Sequence, residues 1–176
     1  MSTITPHLWF DTQAAEAAAF YASVFPEAQV TSSATLHDTP SGDSDVVAFT
    51  LWGQDFMAIS AGPVFSINPS ISFTVNVDPS RVEDAPALVD RLWGALSEGG
   101  SERMPLGEYP FSKRYGWVDD PFGVSWQIML TDPAGEPRPP ILTSLLFVGN
   151  AAGRAEEAGA TYRDLFPDSR PGRLVR

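Results

Sequence analysis

Two neighbouring stretches of the chain, Arg114–Asp119 and Val124–Leu130, have the pattern of strands, and the second of them alternates apolar with polar residues. Both stretches are rich in aromatic and β-branched residues, which are typical of strands. Between them lies Asp120-Pro121-Phe122-Gly123, with Pro and Gly where a chain reversal needs them. The pattern predicts a β-hairpin.

The second strand of this hairpin has two distinct faces, because successive side chains of a strand point to opposite sides. Its apolar row is Val124, Trp126 and Ile128. Its other row is Ser125, Gln127 and Met129. The first row should face a core, and we expect function on the second, which has the Gln127 amide at its centre.

The chain from its start to the end of this hairpin forms two units with the same order of predicted elements. The first unit begins with a strand at Thr3–Phe10 and a helix at Gln13–Phe25, which Asp11 or Thr12 can cap and Pro26 ends. Three strands follow at Gln29–Leu36, Val46–Trp52 and Phe56–Ser60, with a polar loop at His37–Asp45 between the first two. The second has a strand at Ser70–Val77, a helix from Asp84 or Ala85 to Gly99-Gly100, a possible strand at Ser101–Met104, a loop at Pro105–Ser112 and then the hairpin. The chain therefore repeats a βαβββ unit.

This repeat predicts an α+β fold in which the paired units form a curved mixed sheet around a cleft. The domain is expected to span residues 1–133, with units at 1–61 and 70–130, followed by a Pro-rich linker at 134–140. Residues 141–176 repeat only the βα start of a unit, with Tyr162 and Phe166 standing where Tyr21 and Phe25 stand in the first. Such a partial unit is either a truncated second domain or an element that packs on the first domain or on another subunit. We favour a partner subunit and therefore a homodimer.

Strand alternation divides the predicted sheet into a helix side and a cleft side. The expected helix side is wholly apolar: Leu8, Phe10, Met57, Ile59, Phe73, Val75, Val77, Trp126 and Ile128. The expected cleft side is small, polar and aromatic: His7, Trp9, Phe56, Ala58, Ser60, Ser72, Thr74, Asn76, Ser125, Gln127 and Met129. The second composition suits a ligand pocket better than a packed core.

Composition narrows the chemistry that is available. The chain has 176 residues, of which 43% are hydrophobic, and no cysteine, which excludes disulfides, thiolate nucleophiles and Cys-ligated metals. A formal charge of −11 disfavours nucleic acid as a partner. With no long apolar run and no signal-peptide pattern, we expect a soluble cytoplasmic protein that does not bind membranes.

Two long motifs carry a family resemblance: HLWFDTQAAEAAAFYASVFP at residues 7–26 and KRYGWVDDPFGVSWQI at residues 113–128. Together with the repeated βαβββ unit, they resemble the PhnB-like branch of the vicinal oxygen chelate (glyoxalase/bleomycin resistance/dioxygenase) superfamily, whose members are often labelled 3-demethylubiquinone-9 3-methyltransferase-like. The resemblance covers Thr3–Leu130. It implies a small-molecule site between the units and, in metal-dependent members, one metal ligand on the first and one on the last strand of each unit.

The positions that this resemblance matches to metal ligands are His7, Ala58, Ser72 and Gln127. Alanine cannot bind a metal and serine rarely does, so at most two weak neutral ligands remain, whereas a catalytic site normally has three. We therefore expect neither a metal nor another cofactor. The methyltransferase label also lacks support, because no strand ends in the Gly-rich turn that typically binds S-adenosylmethionine.

Each candidate site residue has a functional and a structural interpretation. His7 is a candidate general base, or a strand histidine that is simply hydrogen-bonded in place. Gln127 could orient a ligand or satisfy a buried backbone group. The remaining candidate ligand-binding residues are the aromatic Trp9, Phe56 and Trp117, which could instead only pack, and the polar Ser60, Ser72, Thr74, Asn76 and Ser125.

Two charged pairs also have competing interpretations. Asp119-Asp120 resembles a catalytic carboxylate pair, but adjacent strand residues diverge and Asp serves as an acceptor in turns, so turn chemistry is favoured. Lys113-Arg114 could bind an acidic substrate or simply solvate an edge strand.

Three functions follow from these residues. The first is metal-free binding of a small, partly aromatic or carbonyl-bearing molecule, by sequestration or with acid–base chemistry at His7. The second is a metal-dependent lyase, isomerase or dioxygenase that takes further ligands from residues such as Glu108 or Asp119. The third is a structural module that dimerises through Ile141–Arg176.

Overall fold

The computed structural model describes residues 4–172, which divide into one compact unit ending at Ser144 and a second beginning at Leu145. The first unit contains β1 (His7–Phe10), α1 (Ala14–Val24), β2 (Gln29–Thr39), β3 (Gly42–Leu51), β4 (Gln54–Ser60), β5 (Ile71–Val77), α2 (Ala85–Ser97), β6 (Ser101–Tyr109), β7 (Ser112–Asp119), β8 (Ser125–Leu130) and most of β9 (Ile141–Leu145). The second contains a short 3₁₀ helix (Gly149–Ala151) and α3 (Ala155–Leu165).

The first βαβββ module is a four-stranded mixed sheet with the strand order β1-β4-β3-β2. Strand β1 pairs in parallel with β4, and the others are antiparallel. Helix α1 packs on this sheet through Ala14, Ala17, Ala18 and Tyr21, none of which has measurable exposure. The three alanines let the helix approach the sheet closely.

The second module repeats the first in a five-stranded sheet with the order β6-β7-β8-β5-β9, in which β5 and β8 are parallel. Helix α2 covers it through Leu88, Val89, Leu92 and Leu96. A Cβ atom at Gly116 of β7 would lie 2.4 Å from the ring of Trp93 on this helix. Only glycine allows the helix to sit this close to the sheet.

The two modules share one core, in which aromatic rings from both modules meet. Trp126 of β8 lies 5.5 Å from Tyr21 and 5.0 Å from Phe25, measured between ring centroids. Phe56 of β4 lies 5.1 Å from Phe73 of β5. Such aromatic pairs contribute packing energy beyond the area that they bury.

A buried carboxylate, Asp120, joins α1 to the β7–β8 turn. Its Oδ2 accepts hydrogen bonds from the Tyr21 hydroxyl at 2.7 Å and the Trp126 indole at 2.8 Å, and its Oδ1 accepts from the backbone amides of Phe122 and Val124. Burial raises the pKa of Asp120, although all four donors oppose that shift. The predicted turn role of Asp120 is confirmed.

The α+β class and the repeated βαβββ order are confirmed, with the strands in two mixed sheets. The loop predicted at His37–Asp45 is wrong, because β2 and β3 continue as a hairpin with its turn at Pro40-Ser41. The loop predicted at Pro105–Ser112 is also largely wrong, since β6 continues to Tyr109 through several register shifts that accommodate Pro105 and Gly107.

The start of the first module also differs from the prediction. Strand β1 begins at His7, so Ile4–Pro6 are not in a strand, and Thr3 lies outside the described residues. The predicted cap of α1 by Asp11 or Thr12 is wrong, because the N-cap residue is Gln13 and it forms no side-chain capping bond. Instead, Ser60 Oγ accepts a hydrogen bond from the Ala14 amide at 3.0 Å. A side chain distant in sequence thus satisfies one of the free amides of the helix start.

In the second unit, none of the side chains of α3 is buried. Tyr162 and Phe166, which match the buried Tyr21 and Phe25 of the first module, are 44% and 47% exposed. Within the described part of the second unit, residues 145–172, there is no complete sheet for this apolar stripe to pack on. Among the described residues, no helix is long and apolar enough to cross a membrane.

Candidate functional site

The face of the second sheet opposite α2 carries most of the predicted ligand-binding residues. In register, Thr74 lies beside Gln127, and Gln127 lies beside Trp117. Alternation therefore places nine residues on this surface, called here the polar face: Ser72, Thr74 and Asn76 of β5, Lys113, Tyr115 and Trp117 of β7, and Ser125, Gln127 and Met129 of β8.

A hydrogen-bond chain crosses three strands of the polar face. The Tyr115 hydroxyl donates to Gln127 Oε1 at 2.8 Å, and Gln127 Nε2 donates to Ser72 Oγ at 2.9 Å. An amide nitrogen carries two hydrogens and a serine hydroxyl carries one of its own. After these two bonds, one N–H of the half-buried Gln127 remains able to donate to a ligand, whereas the Ser72 hydroxyl is enclosed, since Ser72 is only 1% exposed.

Tyr115 acts as a donor and not as a base. Desolvation by burial, with a smaller contribution from Tyr109, raises the pKa of Tyr115 to about 12. Its hydroxyl therefore stays protonated at neutral pH. The Gln127 carbonyl oxygen is held by this proton, which fixes the orientation of the amide.

Beside this chain, Trp117 is fixed at its nitrogen and at its ring. Its Nε1 donates to Ser125 Oγ at 2.8 Å. The guanidinium of Arg103 lies 6.0 Å from the ring centroid and pairs with Asp119, to which Nε donates at 2.8 Å. The hydrogen bond with Asp119 raises the pKa of Arg103. Asp119 is thus an ion-pair partner, while Asp120 stabilises the turn.

The β5 end of the polar face is tied to the segment that leads into β9. Thr74 Oγ1 lies 2.9 Å from Ser144 Oγ, and Asn76 Nδ2 donates to the carbonyl oxygen of Pro139 at 3.0 Å. Asn76 is only 3% exposed, and its Oδ1 has no hydrogen-bond partner among the described residues. Thr74 and Asn76 therefore hold the segment that contains Pro139 and Ser144 in place, and their polar groups are largely used within the protein.

The candidates of the first module do not join the polar face. His7 is exposed at the start of β1. Trp9, on the same face of that sheet, donates through Nε1 to the Gly62 carbonyl at 2.9 Å and meets Phe65 edge to face at 5.1 Å. Both lie on the face away from α1, as predicted, but in the first sheet.

The predicted faces of β4 are exchanged. Phe56 is 1% exposed within the shared core, and Ser60 points to α1, so their cleft-side placement is wrong. Ala58 is also fully buried on the helix side, whereas Met57 and Ile59 take the outer face. Both rows of β4 are apolar enough for a core, so alternation alone could not choose between them.

The adjacent basic residues of β7 separate onto the two faces of the sheet. Arg114 turns toward α2 and pairs with Asp90. Lys113 lies on the polar face, at the edge of a cavity of about 590 Å³ beside the β6–β7 turn. Of the two, only Lys113 is placed to meet a ligand there.

This cavity is lined by aromatic rings and by charges of both signs. Tyr109 and Phe111 stack at 5.7 Å, and Phe111 meets the ring of Tyr115 at 5.0 Å. Glu108, Lys113 and Asp132 also line it. Sequence reasoning missed Tyr109, Phe111 and Tyr115 as site residues, although extending the alternation of β7 back from Trp117 would have found Tyr115.

The metal site that the superfamily can carry does not fit these residues. Of the four matching positions, Ala58 faces the core, and Ser72 and Gln127 are hydrogen-bonded to each other. Within residues 4–172, no three His, Asp or Glu side chains form a group that could hold a metal ion. The donor set is too small and too neutral for a catalytic metal.

Comparison with known proteins shows which family shares this architecture. The family model for 3-demethylubiquinone-9 3-methyltransferase matches residues 2–129. No curated protein matches the sequence significantly.

Solved structures agree with the family match. A PhnB protein of Bacillus cereus is 34% identical over 74% of this chain and 100% of its own, with a TM-score of 0.64. Protein PA1353 of Pseudomonas aeruginosa is 26% identical over 74% of this chain and 98% of its own, with a TM-score of 0.55. A glyoxylase/bleomycin resistance protein/dioxygenase domain from Frankia is 13% identical over 77% of this chain and 96% of its own, with a TM-score of 0.52, and shares the fold.

Proposed function

The chain belongs to the 3-demethylubiquinone-9 3-methyltransferase family, a PhnB-like branch of the vicinal oxygen chelate superfamily, and from that premise we propose that it binds a small carbonyl-bearing molecule on the polar face without a metal. The observation that carries this proposal is the chain of hydrogen bonds from Tyr115 through Gln127 to Ser72. It leaves the second Gln127 N–H oriented and unused on this surface.

This unused donor sets the ligand chemistry. The second Gln127 N–H requires an acceptor, which a carbonyl or carboxyl oxygen supplies. The fixed indole of Trp117 offers a flat apolar surface beside it. A planar molecule with a carbonyl group, such as an aryl ketone, matches both features.

Binding without a metal is proposed because of the donor set. The positions that match the metal ligands of metal-dependent relatives are His7, Ala58, Ser72 and Gln127. Of these four, only His7 has a side-chain nitrogen that is not already hydrogen-bonded to another side chain in the described part of the chain. His7 lies in the other sheet from Gln127. A reaction that needs a Lewis acid has no matching set of ligands here.

The methyltransferase description is not carried to this chain. The strand-to-helix connections of the first unit, residues 11–13 and 78–84, contain no glycine. A Gly-rich turn at such a connection is the usual site for the cofactor of methyl transfer. We therefore propose binding without acid–base chemistry at His7, which lies in the other sheet, and a cytoplasmic location as expected from the sequence.

The test is a titration of the protein with acetophenone, a neutral aryl ketone, followed by ¹H–¹⁵N NMR. Gln127→Met removes the amide at nearly constant volume and should weaken binding by about two- to tenfold, the usual range for a lost hydrogen bond. Gln29→Met, on an exposed strand, is the control and should bind normally. Saturable binding that Gln127→Met leaves unchanged would contradict the proposal, as would an absence of binding.

Self-association through the second unit is a second candidate function, and the exposure of α3 favours it. Leu165 is 68% exposed and Phe166 47% exposed, so this stripe would gain from burial against a second copy of the chain. Leu165→Asp should shift a dimer to monomer in sedimentation velocity. Val64→Asp, at a comparably exposed site of the first unit, should not. A wild-type protein that sediments as a monomer would refute this homodimer.

A further inference from the structure

The cavity beside the β6–β7 turn adjoins the polar face at Lys113, which lines the cavity, and at Tyr115, whose ring contacts two of the lining residues. The ring of this tyrosine contacts Phe111 and Tyr109, while its hydroxyl reaches Gln127. The cavity and the unused Gln127 N–H are therefore separated by about the length of a phenol ring. Tyr115 itself is only 5% exposed, so a ligand whose carbonyl meets Gln127 would extend over the neighbouring rings of Tyr109 and Phe111 into the cavity.

The charges that line this cavity favour a cation. Two carboxylates, Glu108 and Asp132, oppose a single ammonium group, Lys113. Asp132 is partly engaged, because its Oδ1 accepts a hydrogen bond from the Ala134 amide at 3.0 Å. Across residues 4–172, the side chains of Glu108 and Lys113 have no hydrogen-bond or ion-pair partner, so both are free to respond to a ligand.

The aromatic side chains of the cavity add to this preference. Phe111 is 61% exposed and stacks on Tyr109, so part of its ring surface is open to a ligand. An organic cation is attracted by the negative face of an aromatic ring. The long-range field acts in the same direction, since the whole chain carries a formal charge of −11.

We infer that the ligand of this protein is a cationic aryl carbonyl compound, with its carbonyl on the polar face and its ammonium group in the cavity between Glu108, Asp132 and Phe111. This inference rests on the proposed function, because it extends the same site by one subsite. It adds the sign of the ligand charge and the residues that select it.

Three probes with one aryl ketone core test the charge preference. They are acetophenone, the cationic (4-acetylphenyl)trimethylammonium and the anionic 4-acetylbenzoate, each titrated at low and high salt. The cation should bind most tightly and the anion most weakly. Higher salt should reduce the advantage of the cation, because these charges are exposed.

Variants assign the preference to the cavity. Glu108→Gln should weaken binding of the cation by about two- to fivefold, as expected for one exposed charge, and leave acetophenone unaffected. Lys113→Gln should strengthen it by a similar factor. Phe111→Leu should weaken the cation more than the neutral ketone. Glu102→Gln, an exposed change elsewhere on β6, is the matched control.

The outcomes separate this inference from the proposed function. Equal affinity for the neutral and cationic probes, or a preference for the anion, would overturn the cation subsite while leaving the carbonyl site intact. Binding of the cation that Glu108→Gln and Phe111→Leu do not alter would also overturn it. If none of the three probes binds, the proposed function fails together with the inference.

Discussion

The hydroxyl of Tyr21 in α1 donates a hydrogen bond of 2.7 Å to Asp120, a residue 99 positions later in the β7–β8 turn. Both groups are buried, and the same carboxylate oxygen also accepts from the Trp126 indole. The contact therefore links the helix of the first βαβββ module to the closing hairpin of the second. It places a polar connection inside an otherwise apolar core.

Removing this hydroxyl should destabilise the fold. Tyr21→Phe keeps the ring but leaves a buried carboxylate with one donor fewer, at a cost of about 1–3 kcal/mol in the free energy of unfolding. Tyr162→Phe removes the same atom from a tyrosine that is 44% exposed and should cost almost nothing. Urea denaturation of both variants measures the difference. Equal stabilities would show that the Tyr21–Asp120 bond contributes nothing net.

Two glycines should respond oppositely to the same substitution. Gly116→Ala would place a Cβ 2.4 Å from the Trp93 ring, so α2 must move, and overpacking of this kind costs about 1–3 kcal/mol. Gly94→Ala lies in α2 with open space around it and should stabilise by about 0.5–1 kcal/mol, because alanine favours helix.

Thermal unfolding of these two variants gives the comparison directly. A destabilised Gly116→Ala that Trp93→Leu partly rescues would identify the ring as the obstacle. If Gly116→Ala unfolds at the wild-type temperature, the close packing of α2 on β7 is wrong.

The fold could be predicted from the sequence wherever two independent sequence features agreed, whereas the candidate site could be predicted only in part. The hairpin at Asp120 combined alternating strands with a specific turn, and α2 combined an apolar stripe with Pro86 near its start. By contrast, β4 has two apolar rows, so the burial of Phe56 depends on contacts with Phe49 and Phe73 that no local pattern reveals. The position of Gln127 on the face away from α2 could be predicted because the two rows of β8 differ clearly in polarity. The cavity at Phe111 was missed because a register-shifted strand resembles a loop.

The hydroxyl of Tyr115 should lose its proton at a higher pH than an exposed tyrosine, which provides a pH test of the site. Its folded-state pKa is about 12, above the usual 10.0, because burial disfavours the phenolate. Below pH 10 both the folded and the unfolded state hold the proton, so stability is unaffected. Above pH 10 the unfolded state loses its proton first, and this contribution to stability falls as the pH rises.

Phenolate absorbance after rapid pH jumps measures this titration. Tyr115→Phe should remove one transition near pH 12 relative to the wild type, and the unfolded protein should show that transition near pH 10. The variant should also weaken acetophenone binding, because the Gln127 amide loses the donor that orients it. A transition at pH 10 in the folded protein would contradict the burial of this hydroxyl.

Metal removal should leave ligand binding unchanged. Because Ala58 faces the core and Ser72 is held by Gln127, the positions that match metal ligands supply no chelating set. We expect natively purified protein to contain much less than one equivalent of metal by elemental analysis, and EDTA, Zn²⁺ or Mn²⁺ to leave acetophenone affinity unaltered. His7→Ala separates the remaining alternatives. One equivalent of metal that this variant loses, together with binding that EDTA abolishes, would replace the metal-free site by a metal-dependent enzyme.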